Sequence, residues 1–344
     1  MKKFVNRYLI DGLSGMAGGL FSTLIIGLII KQIGVLINSQ LLLSLASICT
    51  VLTGIGIAIG TAYKLGAKPL VLYASALNGL VGAYAVGFLN GTLIQNGTIV
   101  LSGTGEPLGA FIATIVGVEV GNYISGKTKI DILITPAVTI LSGSAAGLLV
   151  GPTISNFMFM LGEIIEAATI LQPFLMGIVI SVLMGIFLTL PISSAAISII
   201  LGLSGIAAGA STVGCCSQMI GFAIISFKDN GIDGLFAQGL GTSMLQIPNI
   251  VKNPKIWIPS ILTSAILGPL STVVFKLENV ASGAGMGTSG LVGPLLAWEA
   301  TTGSSFEKGI AILLLCFILP AILNFIIYKF MYNKGLIKDG DMKL

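Results

Sequence analysis

A chain of 344 residues with 55% hydrophobic and only 9% charged side chains cannot clothe a water-soluble globule, because such a surface takes about a quarter charged residues. The mean hydropathy of +1.03 points the same way. The net charge of +4 is dispersed as scattered lysines with Arg7 as the sole arginine, which excludes an arginine-built phosphate or nucleic-acid surface. Histidine is missing, and Cys49, Cys215, Cys216 and Cys316 lie in apolar runs without zinc-ligand spacing, so no metal or other cofactor is implied.

The apolar residues come in runs of roughly 18–25, enough to cross a hydrocarbon layer about 30 Å thick. Leu13–Ile30 is the first. Met1–Arg7 before it resembles the start of a signal peptide, but the run exceeds an h-region of roughly 7–15 residues and no small-x-small site ends it, so it reads as a retained helix. Leu41–Tyr63, Pro69–Leu89, Pro107–Ile124 and Ile130–Val150 complete a first set. Pro173–Leu190, Ile192–Gly209, Ser211–Phe227, Ile256–Phe275 and Ile310–Phe330 form a second. The expectation is an all-α integral membrane protein of about ten spans with one or two re-entrant hairpins. It reads as a single polytopic membrane domain over residues 1–344.

Two segments do not fit that series. Thr153–Gln172 carries Glu163 and Glu166, three apart on one helical face, the pattern of an interfacial helix. Ala281–Trp298 is broken by Gly283, Gly285, Gly287, Gly290, Gly293 and Pro294. Ser226–Lys255 is the longest polar-leaning stretch and reads as an amphipathic segment lying on the membrane. Lysines cluster before the first span (Lys2, Lys3), after the second (Lys64, Lys68), after the fourth (Lys127, Lys129), around Lys228, Lys252 and Lys255, and at Lys334, Lys338 and Lys343. The positive-inside rule then places both termini in the cytoplasm of a multi-pass inner-membrane protein.

The halves correspond faintly. PLGAFIATIVGVEVG at Pro107–Gly121 and GLVGPLLAWEATTG at Gly290–Gly303 are both glycine-bearing and reach an acid, Glu119 or Glu299. GTGEP at Gly103–Pro107 and GMGTSG at Gly285–Gly290 precede them. Half-repeats over 1–151 and 173–332, with an odd number of spans each, would be inverted, the plan of many transporters.

Glycine, with 46 residues, recurs at small-xxx-small spacing in Gly15/Gly19, Gly56/Gly60, Gly117/Gly121, Gly143/Gly147 and Gly205/Gly209, which marks faces for close helix packing. The stretch Gly283–Pro294 cannot hold a lipid-facing helix and must be buried in protein or line a cavity. There glycine lets a solute approach the backbone, and the start of the following helix offers free N–H groups, so Gly285, Gly287, Thr288, Ser289 and Gly290 are candidate solute contacts. Glu119 and Glu299 are carboxylates within apolar runs, either cavity-facing groups or helix-end residues at the interface; Glu106 stands at the mouth of its helix. Asn78, Asn122, Gln218 and Asn324 are polar groups within spans, as glue or as ligand contacts, and Asn78 joins the candidate site.

GAGMGTSGLVGPL at Gly283–Leu295, with NPKIWIPSILTSAILGPL at Asn253–Leu270 upstream, resembles the IIC-like membrane components of the bacterial sugar phosphotransferase system, in the branch of the perfringolysin regulator-like "toxin regulator" proteins. The likeness extends over the chain in length and span pattern, with its specific motifs in the last third. It implies a membrane transporter of a small polar solute, sugar-like, acting as a homodimer beside separate phosphotransferase subunits. It implies neither nucleic-acid binding nor an enzyme beyond the permease part of a multi-subunit phosphotransferase. GTGEP is loosely similar to the acid-bearing loop of glucose-type IIC domains but stands elsewhere in the chain, so Glu106 takes no role from it. Phosphoryl transfer needs phospho-histidine carriers, and a chain without histidine either leaves that step to separate subunits or has left the pathway. The competing expectation is a membrane-embedded sensor or regulator working through a cytoplasmic partner at Ser226–Lys255 or the C-terminal segment.

Overall fold

The computed structural model describes residues 2–95 and 97–344. Apart from a two-residue hairpin pairing Ile94–Gln95 with Thr98–Ile99, the regular structure is helical. The chain forms two compact units, residues 1–157 and residues 158–344.

The first unit begins with α1, Val5–Leu36, followed by α2, Gln40–Val51, and α3, Thr53–Lys64, a pair bent by 52°. Then come α4, Pro69–Ala83; α5, Ala85–Leu89; and α6, Pro107–Ile124. The helix α7, Asp131–Thr169, runs 39 residues and contains the unit boundary. Pro69 and Pro107 start their helices at the first turn, where a missing N–H costs nothing.

Backbone meets backbone along this unit. A Cβ on Gly15 would lie 2.7 Å from the Gly60 carbonyl carbon, and one on Gly19 would lie 2.5 Å from that of Gly56, so the α1 and α3 glycine pairs face each other. Gly54 stands in the same relation to the Gly79 oxygen at 2.6 Å, and Gly82 to the Gly109 carbonyl carbon at 2.8 Å. One small-residue seam thus leads from α1 through α3 and α4 to α6. With no hydrophobic drive between helices in lipid, van der Waals contact at such seams is what holds them.

The second unit continues α7 and adds α8, Pro173–Thr189; α9, Ser194–Ile200; and α10, Gly205–Ile225. Next are α11, Phe227–Phe236; α12, Ile247–Lys252; α13, Pro254–Val274; α14, Ala281–Ala284; α15, Val292–Ala300; and α16, Ser305–Asn333. α10 is its axis, with 89% of its apolar window enclosed by the protein. α8 packs on α10 with Gly185 against the Gly214 oxygen, 2.8 Å from a built Cβ, and on α13 with Gly177 against Gly268 at 2.7 Å. An apolar cluster of Val213, Cys216, Leu267, Leu277, Leu315 and Cys316 joins α10, α13 and α16.

Among the described residues, six helices are long and apolar enough to cross a membrane, and seven if the bent pair α2–α3 is one span. α4 and α8 are apolar but shorter. The expected span Ile192–Gly209 does not form. Its chain makes the seven-residue α9, then turns at Gly202 (φ 57°) and Gly205 (φ 58°), so Gly205 opens the next helix instead of packing in register with Gly209. Ile130–Val150 and Thr153–Gln172 likewise fuse into α7, whose helix continues through Pro136 and Pro152 although each removes a backbone donor and crowds the preceding turn. Glu163 and Glu166 lie on the exposed face of α7, with Leu161, Ile165 and Ala168 buried behind them. Residues 226–255 are not a simple amphipathic strip either. Gln238, Gln246 and Asn249 point inward, where neighbouring amides and carbonyls satisfy them, and so does Ser243, whose hydroxyl meets that of Thr189 at 2.8 Å.

Candidate functional site

The candidate residues divide between the units. In the first, α4 and α6 carry Asn78, Glu106 and Glu119. Asn78 is fully buried where Gly117 and Gly143 leave room for its side chain. Its Nδ2 donates to the Thr139 carbonyl at 3.0 Å, while Oδ1 has no partner. Glu106 caps α6, accepting from the Leu108 N–H at 3.5 Å and donating its own N–H to the Ala83 carbonyl at 2.8 Å. The preceding Gly105 (φ 65°) lies so close to Ala83 that a Cβ would meet its methyl at 2.7 Å, and Tyr84 donates to the Gly103 carbonyl at 2.8 Å. GTGEP is thereby pinned against the break between α4 and α5. Burial pushes the Glu106 carboxyl up to about 7, opposed by the hydrogen bond from Leu108.

Glu119 is paired. Arg7 Nε and Nη2 both stand 2.7 Å from its Oε1, which matches the only arginine with this acid. Sequence reasoning missed that partner because Arg7 lies 112 residues away and reads as a positive-inside residue.

In the second unit, the glycine-rich stretch is brought together and enclosed. It forms α14, a turn with Gly287 at φ 52°, a 3₁₀ turn at Ser289–Leu291, and α15. Gly290 (φ 51°) and Leu291 (φ 61°) are consecutive left-handed residues; for a leucine this costs about 1–2 kcal/mol, which the surrounding structure must offset. Irregular backbone at this depth needs protein partners, and it has them. Ser194 donates to the Gly285 carbonyl at 2.8 Å and Ser211 to that of Ala284 at 2.6 Å. Asn279 Nδ2 donates to Thr212 Oγ1 at 2.7 Å and to the Gly293 carbonyl at 3.0 Å. Gly287 abuts α10, where a Cβ would meet the Cys215 carbonyl carbon at 2.9 Å. Thr288 Oγ1 donates to the Gly239 carbonyl at 2.5 Å. Ser289 is 2% exposed and its hydroxyl has no partner. Glu299 sits exposed near the end of α15.

Of the other polar groups, Asn122 accepts from the Lys68 N–H at 3.0 Å. Asn324 bonds Ser260 at 2.9 Å and the Ser217 carbonyl at 3.1 Å, joining α16 to α13 and α10. Gln218 Oε1 accepts from Trp257 Nε1 at 2.8 Å and Thr189 at 3.3 Å, and its Nε2 is buried without a partner. Two surface cavities of the second unit, of about 630 and 350 Å³, are lined elsewhere, the larger by Lys228, Lys329, Tyr328 and Tyr332.

The profile of the family described as phosphotransferase system, EIIC matches residues 10–344. No curated protein and no solved structure matches the chain.

Proposed function

The chain belongs to the phosphotransferase-system EIIC family, and from that premise we propose that it carries a small, sugar-like polar solute across the bacterial inner membrane, with both termini in the cytoplasm. EIIC proteins are the permease components of phosphotransferase systems, which supports transport as the activity. The chain has no histidine, so separate subunits supply the phosphoryl group. We place it in the toxin-regulator branch, as a homodimer built from inverted half-repeats over 1–151 and 173–332 within one membrane domain. Crossings beyond the six long helices are assigned to the bent and shorter apolar helices α2–α5 and α8.

In the second unit the solute contacts are assigned to Gly285, Gly287, Thr288, Ser289 and Gly290, with Glu299 as a further polar contributor; in the first unit, taken by itself, Asn78, Glu106 and Glu119 are the candidate contacts. The observation that carries this site is the Ser289 hydroxyl, buried and unpartnered inside a backbone break whose other polar groups bond to protein. A buried hydroxyl without a bond costs roughly 1–3 kcal/mol, a cost that a solute hydroxyl would remove. Asn78 Oδ1 stands in the same condition in the first unit. Glu119, already held by Arg7, acts on the solute only by exchanging partners.

A thermal-shift screen of the purified protein against sugars, sugar phosphates, organic anions and amino acids tests the reading. The expected result is stabilisation by a sugar, with the shift lost in Ser289→Ala and kept in Glu166→Gln on the exposed face of α7. Stabilisation by none of these solutes, with Ser289→Ala folding normally, overturns it.

A further inference from the structure

Seven residues of the C-terminal segment, Lys338–Leu344, are bound along residues 226–253 as a ligand would be. Asp229 takes the Gly340 N–H on one carboxylate oxygen at 2.9 Å and the Met342 N–H on the other at 3.2 Å. Asn230 donates to the Met342 carbonyl at 2.8 Å and accepts from the Leu344 N–H at 2.8 Å, bracketing Lys343 between its two amide groups. Gln246 also donates to the Met342 carbonyl and Asn249 donates to that of Lys343, both at 2.9 Å. Asn253 Nδ2 reaches the Asp341 carboxylate at 2.8 Å, and Lys228 pairs with Asp339 at 2.6 Å. The Met342 side chain is 1% exposed. Most of these contacts read backbone, and the segment lies in the groove as two successive turns, closed by the Asp341 N–H on the Lys338 carbonyl at 3.2 Å and the Lys343 N–H on the Gly340 carbonyl at 3.3 Å, with Gly340 left-handed (φ 85°) and Met342 as the enclosed apolar side chain.

The groove does not end at the surface. Gln246 Nε2 has two N–H groups, one on the Met342 carbonyl and one on Gln238 Oε1 at 2.9 Å. Gln238 Nε2 is fixed on Ser226 Oγ at 2.7 Å and on the Gly234 carbonyl at 3.0 Å. The next residue, Gly239, offers the carbonyl that receives Thr288 at 2.5 Å. Ser226, Gln238, Gln246 and Thr288 are all fully buried. Withdrawing Lys338–Leu344 would take from Gln246 both its Met342 acceptor and its cover, opening to water the hydrogen bond by which it holds Gln238.

We propose that residues 226–253 form a binding groove for the turned C-terminal segment Lys338–Leu344, and that this strap controls the order of the glycine-rich stretch 283–294 through Gln246, Gln238, Gly239 and Thr288.

Hydrogen-exchange mass spectrometry on the full chain in detergent tests this without reference to any solute, so it can fail while the transport reading stands, and the reverse. In the unsubstituted protein, the amides of Gly340, Met342 and Leu344 are expected to be protected. Met342→Asp is expected to release them and to speed exchange across 283–294 by about tenfold, the change that loss of one or two buried hydrogen bonds produces. Adding a peptide of sequence KDGDMKL to that variant at millimolar concentration is expected to restore protection in 283–294. Thr288→Val is expected to loosen 283–294 while the strap stays protected. Should Met342→Asp fold poorly, Asn230→Ala serves in its place. Unprotected strap amides in the unsubstituted protein, or a released strap with unchanged exchange at 283–294, would overturn the proposal.

Discussion

Gly18 and Gly19 are neighbours on α1, and the structure assigns them opposite responses to the same substitution. A Cβ on Gly18 meets nothing within 4 Å. A Cβ on Gly19 would sit 2.5 Å from the Gly56 carbonyl carbon and 2.9 Å from the Ile57 nitrogen, against backbone that no rotamer change can move. Ordinary contact begins near 3.4 Å, so α1 and α3 would have to separate by roughly 1 Å along a seam held by close contact. Alanine is worth about 0.5–1 kcal/mol over glycine within a helix, whereas overpacking costs about 1–3 kcal/mol. Gly18→Ala should therefore leave stability unchanged or raise it, and Gly19→Ala should lower it, with a gap of about 2 kcal/mol between them. Reversible unfolding in mixed micelles, titrating a denaturing detergent, measures both. Equal responses, or a larger loss in Gly18→Ala, would refute the helix seam as described.

Three further outcomes are expected. Burial holds the Glu106 carboxyl near 7, above its ordinary 4.5, so the folded state keeps a proton that the unfolded chain releases. The stability this provides is complete below about pH 4.5 and is lost as pH rises through about 7; Glu106→Gln should flatten the thermal midpoint across that window, and an unchanged slope would count against burial at this position. The Arg7–Glu119 pair, with side chains 42% and 35% exposed, should show a coupling of about 0.2–1 kcal/mol in a double-mutant cycle of Arg7→Gln and Glu119→Gln, and zero coupling would dismiss the pair as energetically idle. Asn324→Ala removes the bonds to Ser260 and to the Ser217 carbonyl and should lower unfolding stability by about 1–2 kcal/mol, at roughly 0.6 kcal/mol for each interhelical bond plus the stranded Ser260 hydroxyl.

The fold was legible where one local property decided it. Pro107–Ile124 appears with the bounds the sequence indicated, because proline fixes its start and Gly126 (φ 83°) follows its end. The pairs Gly15/Gly19 and Gly56/Gly60 could be read as packing faces, since a four-residue spacing returns to one side of a helix. That they pack on each other is a tertiary fact no spacing contains. Gly205/Gly209 has the same spacing and a different fate, because Gly205 takes a left-handed turn before the helix begins. Apolarity alone cannot tell a glycine that packs from one that turns, so Ile192–Gly209 read as a span when it holds a short helix and a corner.

The site was legible in its backbone and illegible in its partners. A dense run of glycines around Gly287 signals that a helix cannot continue, and the structure breaks there. The groups that make the break tolerable, Ser194, Ser211, Thr212 and Asn279, are small polar residues indistinguishable from dozens that bond their own helix. Thr212 shows why: its hydroxyl donates to the Ala208 carbonyl at 2.9 Å, ordinary within-helix behaviour, and accepts from Asn279 at 2.7 Å with a lone pair that the sequence does not reveal. Asn279 and Thr212 are 67 residues apart, and the strap meets Asp229 and Asn230 across more than a hundred. In a chain with 9% charged residues most buried polar groups are matched, and the matching is settled by the packing of helices. Among the described residues eight buried side-chain atoms are left without a partner, Ser289 Oγ, Gln218 Nε2 and Asn78 Oδ1 among them. Ser289 is the one of the eight inside the glycine-rich break, and on the transport reading proposed above a solute hydroxyl would pair with it there.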